Sequence, residues 1–218
     1  VIIPVKSWPV AAAEPVGSVY RDHNTLSGGM KVNTETSIRT RFSNKIFKDN
    51  EVSRDLIERC IELAVCAPNH RMTEPWRFRV ITGEGRNRLA ENVAQQMAGT
   101  SEASTSAINS ADANRVMQKL GSAPCIIVVY SMPGDNAVIT RENIAATSAA
   151  VQNLLLGAHH LGLGTIWRTA SYFEGDHVKA FLQVPQESDF VAAVYMGYTD
   201  QQPVPRKRTA GVGWTVWI

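Results

Sequence analysis

The chain has 218 residues, 44% hydrophobic and 19% charged, and a formal net charge of +2 from 22 basic and 20 acidic side chains. That suits one packed core of ordinary soluble composition and gives no basis for nucleic acid or an anionic membrane as a general partner. The three cysteines, Cys60, Cys66 and Cys125, show neither zinc-ligand nor CxxC spacing, their odd number fits a reducing, cytoplasmic setting, and no apolar run approaches the ~20 residues of a membrane span.

Residues 1–29 are rich in Val, Pro, Ala, Gly and Ser and have no helical period. Val1–Val5 has neither the basic flank nor the long apolar run of a secretory signal. These residues are expected to be a disordered extension, or an upstream stretch left by a misplaced start, because Met30-Lys31 immediately precedes the first organised segment. Residues 30–218 then form a single domain, with no internal repeat and no clear linker.

Ser53 to Ala67 is predicted helical. Leu56, Ile57, Cys60, Ile61, Ala64 and Val65 recur at helical spacing, Ser53 can cap the start and Pro68 stops it. Arg77–Thr82 alternates as a strand does, and a helix follows the Gly83–Gly85 turn to about Met97. Residues 98–110 are small and polar and are expected to be a mobile loop or a frayed helix end, and a candidate lid over a site. A helix over 111–120 precedes Cys125–Tyr130, a continuous apolar run that suits a buried central strand. Arg141–Leu161 is the longest helix candidate and is apolar on nearly every face. A short strand begins at Thr165, a helix covers 174–182, a strand covers Phe190–Met196, and Trp214–Ile218 reads as strand-like. Cys66 and Cys125 read as small buried hydrophobes. His159-His160 has no HExxH spacing, so no metal site is expected. Gly162-x-Gly164 lacks the third glycine and the βαβ setting of a dinucleotide fingerprint.

Two segments could carry chemistry. Arg41, Ser43 and Lys45 put a guanidinium fork, a hydroxyl and an ammonium within a few residues, the donor set a phosphate monoester needs. Ala67-Pro68-Asn69-His70-Arg71-Met72-Thr73-Glu74-Pro75-Trp76 is a stiff helix-to-strand connection whose prolines and Trp bracket polar groups that could face a ligand.

The order of motifs then becomes specific. Arg-x-Ser-x-Lys-x-Phe, followed by Ala-Pro and, after six intervening residues, Pro-Trp, resembles the start of the FMN-dependent nitroreductase family. Leu161–Thr169 resembles its glycine-rich segment. Met196-Gly197-Tyr198 with Pro203, Pro205, Arg206 and Arg208 resembles its C-terminal signature. The resemblance spans about residues 36–218 and is nearest to the small NAD(P)H nitroreductase branch.

The resemblance implies an α+β fold with a mixed central sheet flanked by helices, and a homodimer whose C-terminal tail extends onto the partner. It implies FMN as cofactor and NADH or NADPH as co-substrate. Hydride would pass by a ping-pong route to a small-molecule acceptor such as a nitroaromatic or a quinone. Arg41 and Ser43 would hold the FMN phosphate, with Phe42 giving backbone contacts. Lys45 would face the pyrimidine side of the ring. His70 would reach the flavin from the other subunit. Trp167, Arg168 and Thr169 would run along the ring, with an N–H near N5, and Arg206 and Arg208 would close on the phosphate. Trp214 and Trp217 would pack at a subunit contact. No catalytic side chain is expected, because the flavin carries the chemistry. The alternatives are a flavin-binding protein without turnover, or a relative that uses the same pocket for dehalogenation or flavin breakdown. Two positions depart from the pattern: Glu74 stands where an amide is common, and Cys66 stands where that branch has Arg.

Overall fold

The structure is a computed structural model that describes residues 34–99, 110–203, 208 and 210–218. The stretch 1–29, nearly all of the expected lid and Arg206 lie outside the described residues. The elements run α1 (Thr34–Thr40), α2 (Arg54–Val65), β1 (Trp76–Thr82), α3 (Gly85–Gly99), α4 (Ser110–Gly121), β2 (Cys125–Ser131), α5 (Ala137–His160), β3 (Gly164–Arg168), α6 (Asp176–Phe181) and β4 (Asp189–Gly197).

Among the described residues four strands form one sheet in the order β1-β2-β4-β3, with every neighbouring pair antiparallel. The expected mixed sheet is therefore antiparallel in its strands. Among the described residues a parallel element enters only at an isolated bridge between Ser43 and Thr165, on the outer edge of β3. Helices cover both faces. Ile127, Val129, Val194 and Met196 pack under α2 and α5 with Cys60, Ala64, Val151 and Leu154. Ile126, Val128, Ala193 and Tyr195 face the opposite way, against Leu89 and Val93 of α3, Leu120 of α4 and Val178 of α6. Every residue of β2 is buried, which explains its unbroken apolar sequence: both of its faces are covered.

Local chemistry sets the boundaries. Ser53 caps α2, its hydroxyl accepting from the Leu56 N–H at 3.4 Å. The long helix starts four residues earlier than its apolar pattern suggests. Asn136 caps it by accepting from the Val138 and Ile139 N–H groups at 3.0 and 3.1 Å. The helix expected over 174–182 divides into a 3₁₀ turn, Ser171–Glu174, and α6, with Gly175 extended between them at φ −75° and ψ 144°. A Cβ at Gly175 would lie 2.2 Å from the Gln96 side chain, which accepts from the Val178 N–H there. The C-terminal segment is not a strand. Gly211–Trp214 is a 3₁₀ turn, and no described strand pairs with the residues after it. Cys125 is buried as expected, but Cys66 is exposed, because it is the C-cap of α2 and its thiol turns back to donate to the Glu62 carbonyl.

Candidate functional site

The first site segment lies along the open edge of β3. Asn44 secures it. Its backbone N–H donates to the Thr165 carbonyl at 2.9 Å, and its side-chain Oδ1 accepts from the Thr165 N–H at 3.1 Å. Asn44 and Thr165 are both buried. The backbone comes close enough because residue 164 is glycine; a Cβ there would lie 2.6 Å from Thr199 Cγ2 and 2.9 Å from Asn44 Cγ. The C-terminal signature joins on the other side. The Lys45 and Ile46 N–H groups donate to Gln201 Oε1, the Thr199 hydroxyl donates to the Ile46 carbonyl, and the Lys48 N–H donates to the Tyr198 carbonyl. Three segments far apart in the chain thus meet at one edge: 41–48, 164–169 and 198–201.

Strand alternation then fixes what faces outward. Both main-chain groups of Thr165 point away from β4, toward Asn44, so those of Trp167, two residues on, point to the same open edge. The Trp167 side chain packs toward the α2 and α5 layer, whereas Arg168 projects to the other face, with its guanidinium 4.6 Å from the Tyr195 ring centroid. Lys45 and Thr169 are exposed. Lys45 enters none of the ion pairs among the described residues.

Arg41 is half-buried where α1 runs into this segment, and its N–H donates to the Ser37 carbonyl. Its charge reaches His159, near the end of α5. That imidazole is held below its ordinary range by burial first, then by Arg41 and His160. Arg208 is exposed, and no hydrogen bond or ion pair among the described residues joins it to the edge.

His70 lies elsewhere. Its Nδ1 is 2.7 Å from Glu142 Oε2, in the second turn of α5. Glu142 and His159 are seventeen residues apart on one helix, roughly 25 Å at 1.5 Å per residue. Within one chain, His70 and the Arg41 segment therefore mark opposite ends of α5. The His70 loop is backbone-strained: Arg71, Met72 and Glu74 all have positive φ, at 54°, 55° and 43°. Such conformations persist only where the surroundings over-determine them, and they gather at ligand sites. Here Asn69 Oδ1 accepts from the Glu74 N–H, and the Thr73 hydroxyl donates to Asn143, whose amide donates to the Met132 carbonyl. A cavity of about 850 Å³ opens beside the loop, lined by His70, Thr73, Met132, Val138, Glu142 and Asn143 among others. Glu142, Asn143, Asn44 and Gln201 escaped the sequence reading. Each acts through a partner more than sixty residues away, which no local spacing reveals.

The donors collected at the β3 edge suit a phosphorylated flavin. A guanidinium, a hydroxyl and an ammonium stand along one backbone segment, beside a strand edge whose N–H groups point outward. The nitroreductase family model matches residues 38–198, a stretch that contains the β3 edge, its bound segment and the His70 loop. The chain belongs to the nitroreductase family. The Bacillus subtilis protein named "Putative NAD(P)H nitroreductase YfhC" is 31% identical over 172 residues, which cover 79% of this chain and 87% of that protein. The crystal structure of a nitroreductase-like family protein from Bacillus cereus superposes with a TM-score of 0.77 at 26% identity, covering 87% of this chain and 97% of that one. The FMN-dependent nitroreductase NfnB from Mycobacterium smegmatis, solved in complex with NADPH, shares the fold at a TM-score of 0.64 and 20% identity, over 84% of this chain and 96% of that one. The nitroreductase fold thus accounts for the antiparallel sheet between two helical layers. No helix among the described residues is long and apolar enough to cross a membrane.

Proposed function

We propose that this protein binds FMN and passes hydride from NADH or NADPH through it to a small acceptor such as a nitroaromatic or a quinone, working as a homodimer. The observation that carries the reading is the Ser43–Thr165 bridge, which sets the cation-and-hydroxyl segment against the β3 edge at Thr165, two residues before Trp167. FMN, when bound, supplies the two-electron hydride chemistry.

The protein's own residues bind and orient. Arg41 and Ser43 hold the phosphate, with the Phe42 backbone beside it and Arg206 and Arg208 closing from the C-terminal segment. Lys45 stands exposed on the segment that Ser43 bridges to β3. An ammonium in that position stabilises negative charge gathered on a ring laid along the edge. The outward N–H of Trp167 offers a donor to the same ring, and Arg168 and Thr169 continue the edge through their backbone. Because this set of contacts is positional and electrostatic, no side chain is needed as a general acid or base.

His70 completes the site from a second copy. It lies at the far end of α5 from Arg41, a span longer than one flavin mononucleotide, which supports a second chain bringing its own His70 loop to the β3 edge. The tail supports the same assembly. Trp214 and Trp217 are 80% and 88% exposed in the single chain, an unusual state for two indoles three residues apart.

The deciding measurement is the visible spectrum of the purified protein before and after anaerobic NADH and NADPH. A flavin band that either nucleotide bleaches is the expected result. A band that neither bleaches would make the protein a flavin binder without this turnover. A colourless protein that FMN cannot reconstitute would remove the reading.

A further inference from the structure

Among the described residues, three buried side-chain polar atoms have no hydrogen-bond partner: Thr147 Oγ1, Thr165 Oγ1 and Arg168 Nε. The two hydroxyls can rotate, and both sit in helix or strand beside backbone carbonyls. The guanidinium N–H differs. It cannot lose its proton and it accepts nothing, so a buried Nε–H calls for an acceptor from outside.

Arg168 lines a cavity of about 260 Å³ together with Lys119, Thr169, Tyr172, Phe173 and Tyr195. Phe173 and Tyr195 are buried and form the floor, whereas Lys119 and Thr169 are exposed and form the mouth. The lining offers a guanidinium, an ammonium and three hydroxyls, and among the described residues it contains no carboxylate. Arg168 is held in place by the Tyr195 ring 4.6 Å beneath it. Burial pushes the Tyr172 and Tyr195 phenols up, so both keep their protons; Tyr195 donates its own to the Tyr172 oxygen, which leaves the Tyr172 O–H as the phenol donor for a ligand. The cavity lies on the α3 and α4 side of the sheet, across from the Trp167 side chain, because successive side chains of a strand alternate. Its volume falls below the ~300 Å³ at which pockets for drug-sized ligands begin, which fits one functional group rather than a whole dinucleotide.

The geometry points to an oxyanion pocket in which Arg168 and Lys119, with the Thr169 and Tyr172 hydroxyls, take the phosphate or carboxylate group of a small ligand, while Tyr195 orients Tyr172 and underlies the guanidinium. This pocket is separate from the Arg41–Ser43 phosphate cradle and does not depend on the FMN reading. A planar guanidinium and a mobile ammonium at the mouth can bind either group, one in a fork and one as a point charge.

Calorimetric titration of inorganic phosphate and of acetate into the protein as purified, at constant ionic strength, tests the proposal. Saturable binding of at least one anion is expected, weakened about tenfold or more, equivalent to ~1.4 kcal/mol, in Arg168→Gln, and kept in Arg41→Ala. Lys119 is exposed, so Lys119→Gln should fold normally and also weaken binding if Arg168→Gln does not fold. Preference for phosphate or for acetate then tells which group the pocket takes. Binding lost in Arg41→Ala but kept in Arg168→Gln or Lys119→Gln would place the anion in the other cradle and overturn the proposal. So would the absence of saturable binding of both anions to the wild type.

Discussion

His70 Nδ1 and Glu142 Oε2 lie 2.7 Å apart, joining the strained loop before β1 to the second turn of α5. Both side chains are substantially exposed, so the pair contributes at most about 1 kcal/mol to folding. Its consequence is local. Three supports, at Asn69, His70 and Thr73, hold a loop with three positive-φ side chains. Glu142→Ala is expected to leave the melting temperature almost unchanged while raising amide exchange at residues 70–74. Hydrogen-exchange mass spectrometry checks this, and unchanged exchange would mean that Asn69 and Thr73 suffice to hold the loop.

Asn44 has the opposite character, because it is buried and serves both main-chain groups of Thr165. Asn44→Ala leaves the Thr165 N–H without its acceptor, at a cost of about 1–3 kcal/mol. For a chain of this size each kcal/mol corresponds to roughly 2–4 °C, so a fall of roughly 2–12 °C in melting temperature is expected. The same change should loosen the 41–48 segment from the β3 edge and weaken FMN binding. A variant that melts as the wild type would show that the backbone bridge holds without the side chain.

How far these features were legible in the sequence depends on the range of the interaction. β2 was legible because burial on both faces leaves an unbroken apolar run. The Ser53 cap and the Pro68 stop were legible because each acts within four residues. α1 was not, since Thr34–Thr40 buries only Ser37 and so carries no apolar period. The alternating Trp214–Ile218 run reads as a strand, but a strand needs a neighbour to pair with, and none is described beside it. In the site, Arg41, Ser43, Lys45 and His70 could be named from residue type and motif order. Their division between the two ends of α5 could not, because it follows from the His70–Glu142 and Thr40–His159 contacts, whose partners are 72 and 119 residues apart.

Arg41 supplies the prediction that bears most directly on FMN. At about 100 times its dissociation constant, FMN should stabilise the fold by ~2.7 kcal/mol, a melting shift of roughly 5–10 °C for a chain of this length. Riboflavin, which lacks the phosphate, should give a smaller shift. Arg41→Ala should bring the FMN shift down to the riboflavin value. Equal shifts for FMN and riboflavin in the wild type would remove Arg41 and Ser43 as a phosphate cradle.

His159 gives a pH dependence with a definite sign. Burial, then Arg41, then His160 hold its pKa below the ordinary 6.5, and its Nε2 lies 2.8 Å from the Thr40 hydroxyl. The unfolded chain therefore takes up this proton more readily than the folded one. The contribution is complete above about pH 6.5 and declines as the pH falls from there toward the folded pKa. Urea melts across that window should show the wild type losing stability on acidification, and His159→Gln should remove part of that slope. Identical slopes would assign the acid sensitivity to other groups.

The three thiols should separate by accessibility. Cys60 and Cys125 are fully buried, and burial raises their pKa values to about 11 and about 12. Since the thiolate is the reacting species, neither should be modified in the native protein near pH 8. Cys66 is exposed at the end of α2, one residue before the Ala67-Pro68 turn that leads to His70. A disulfide reagent such as dithiobis-nitrobenzoate is therefore expected to modify one thiol per chain in the native state and three in denaturant, with peptide mapping placing the first at Cys66. A native count of zero would mean that a second copy covers the end of α2. Two or three would mean that the core between α2 and β2 opens on the timescale of labelling.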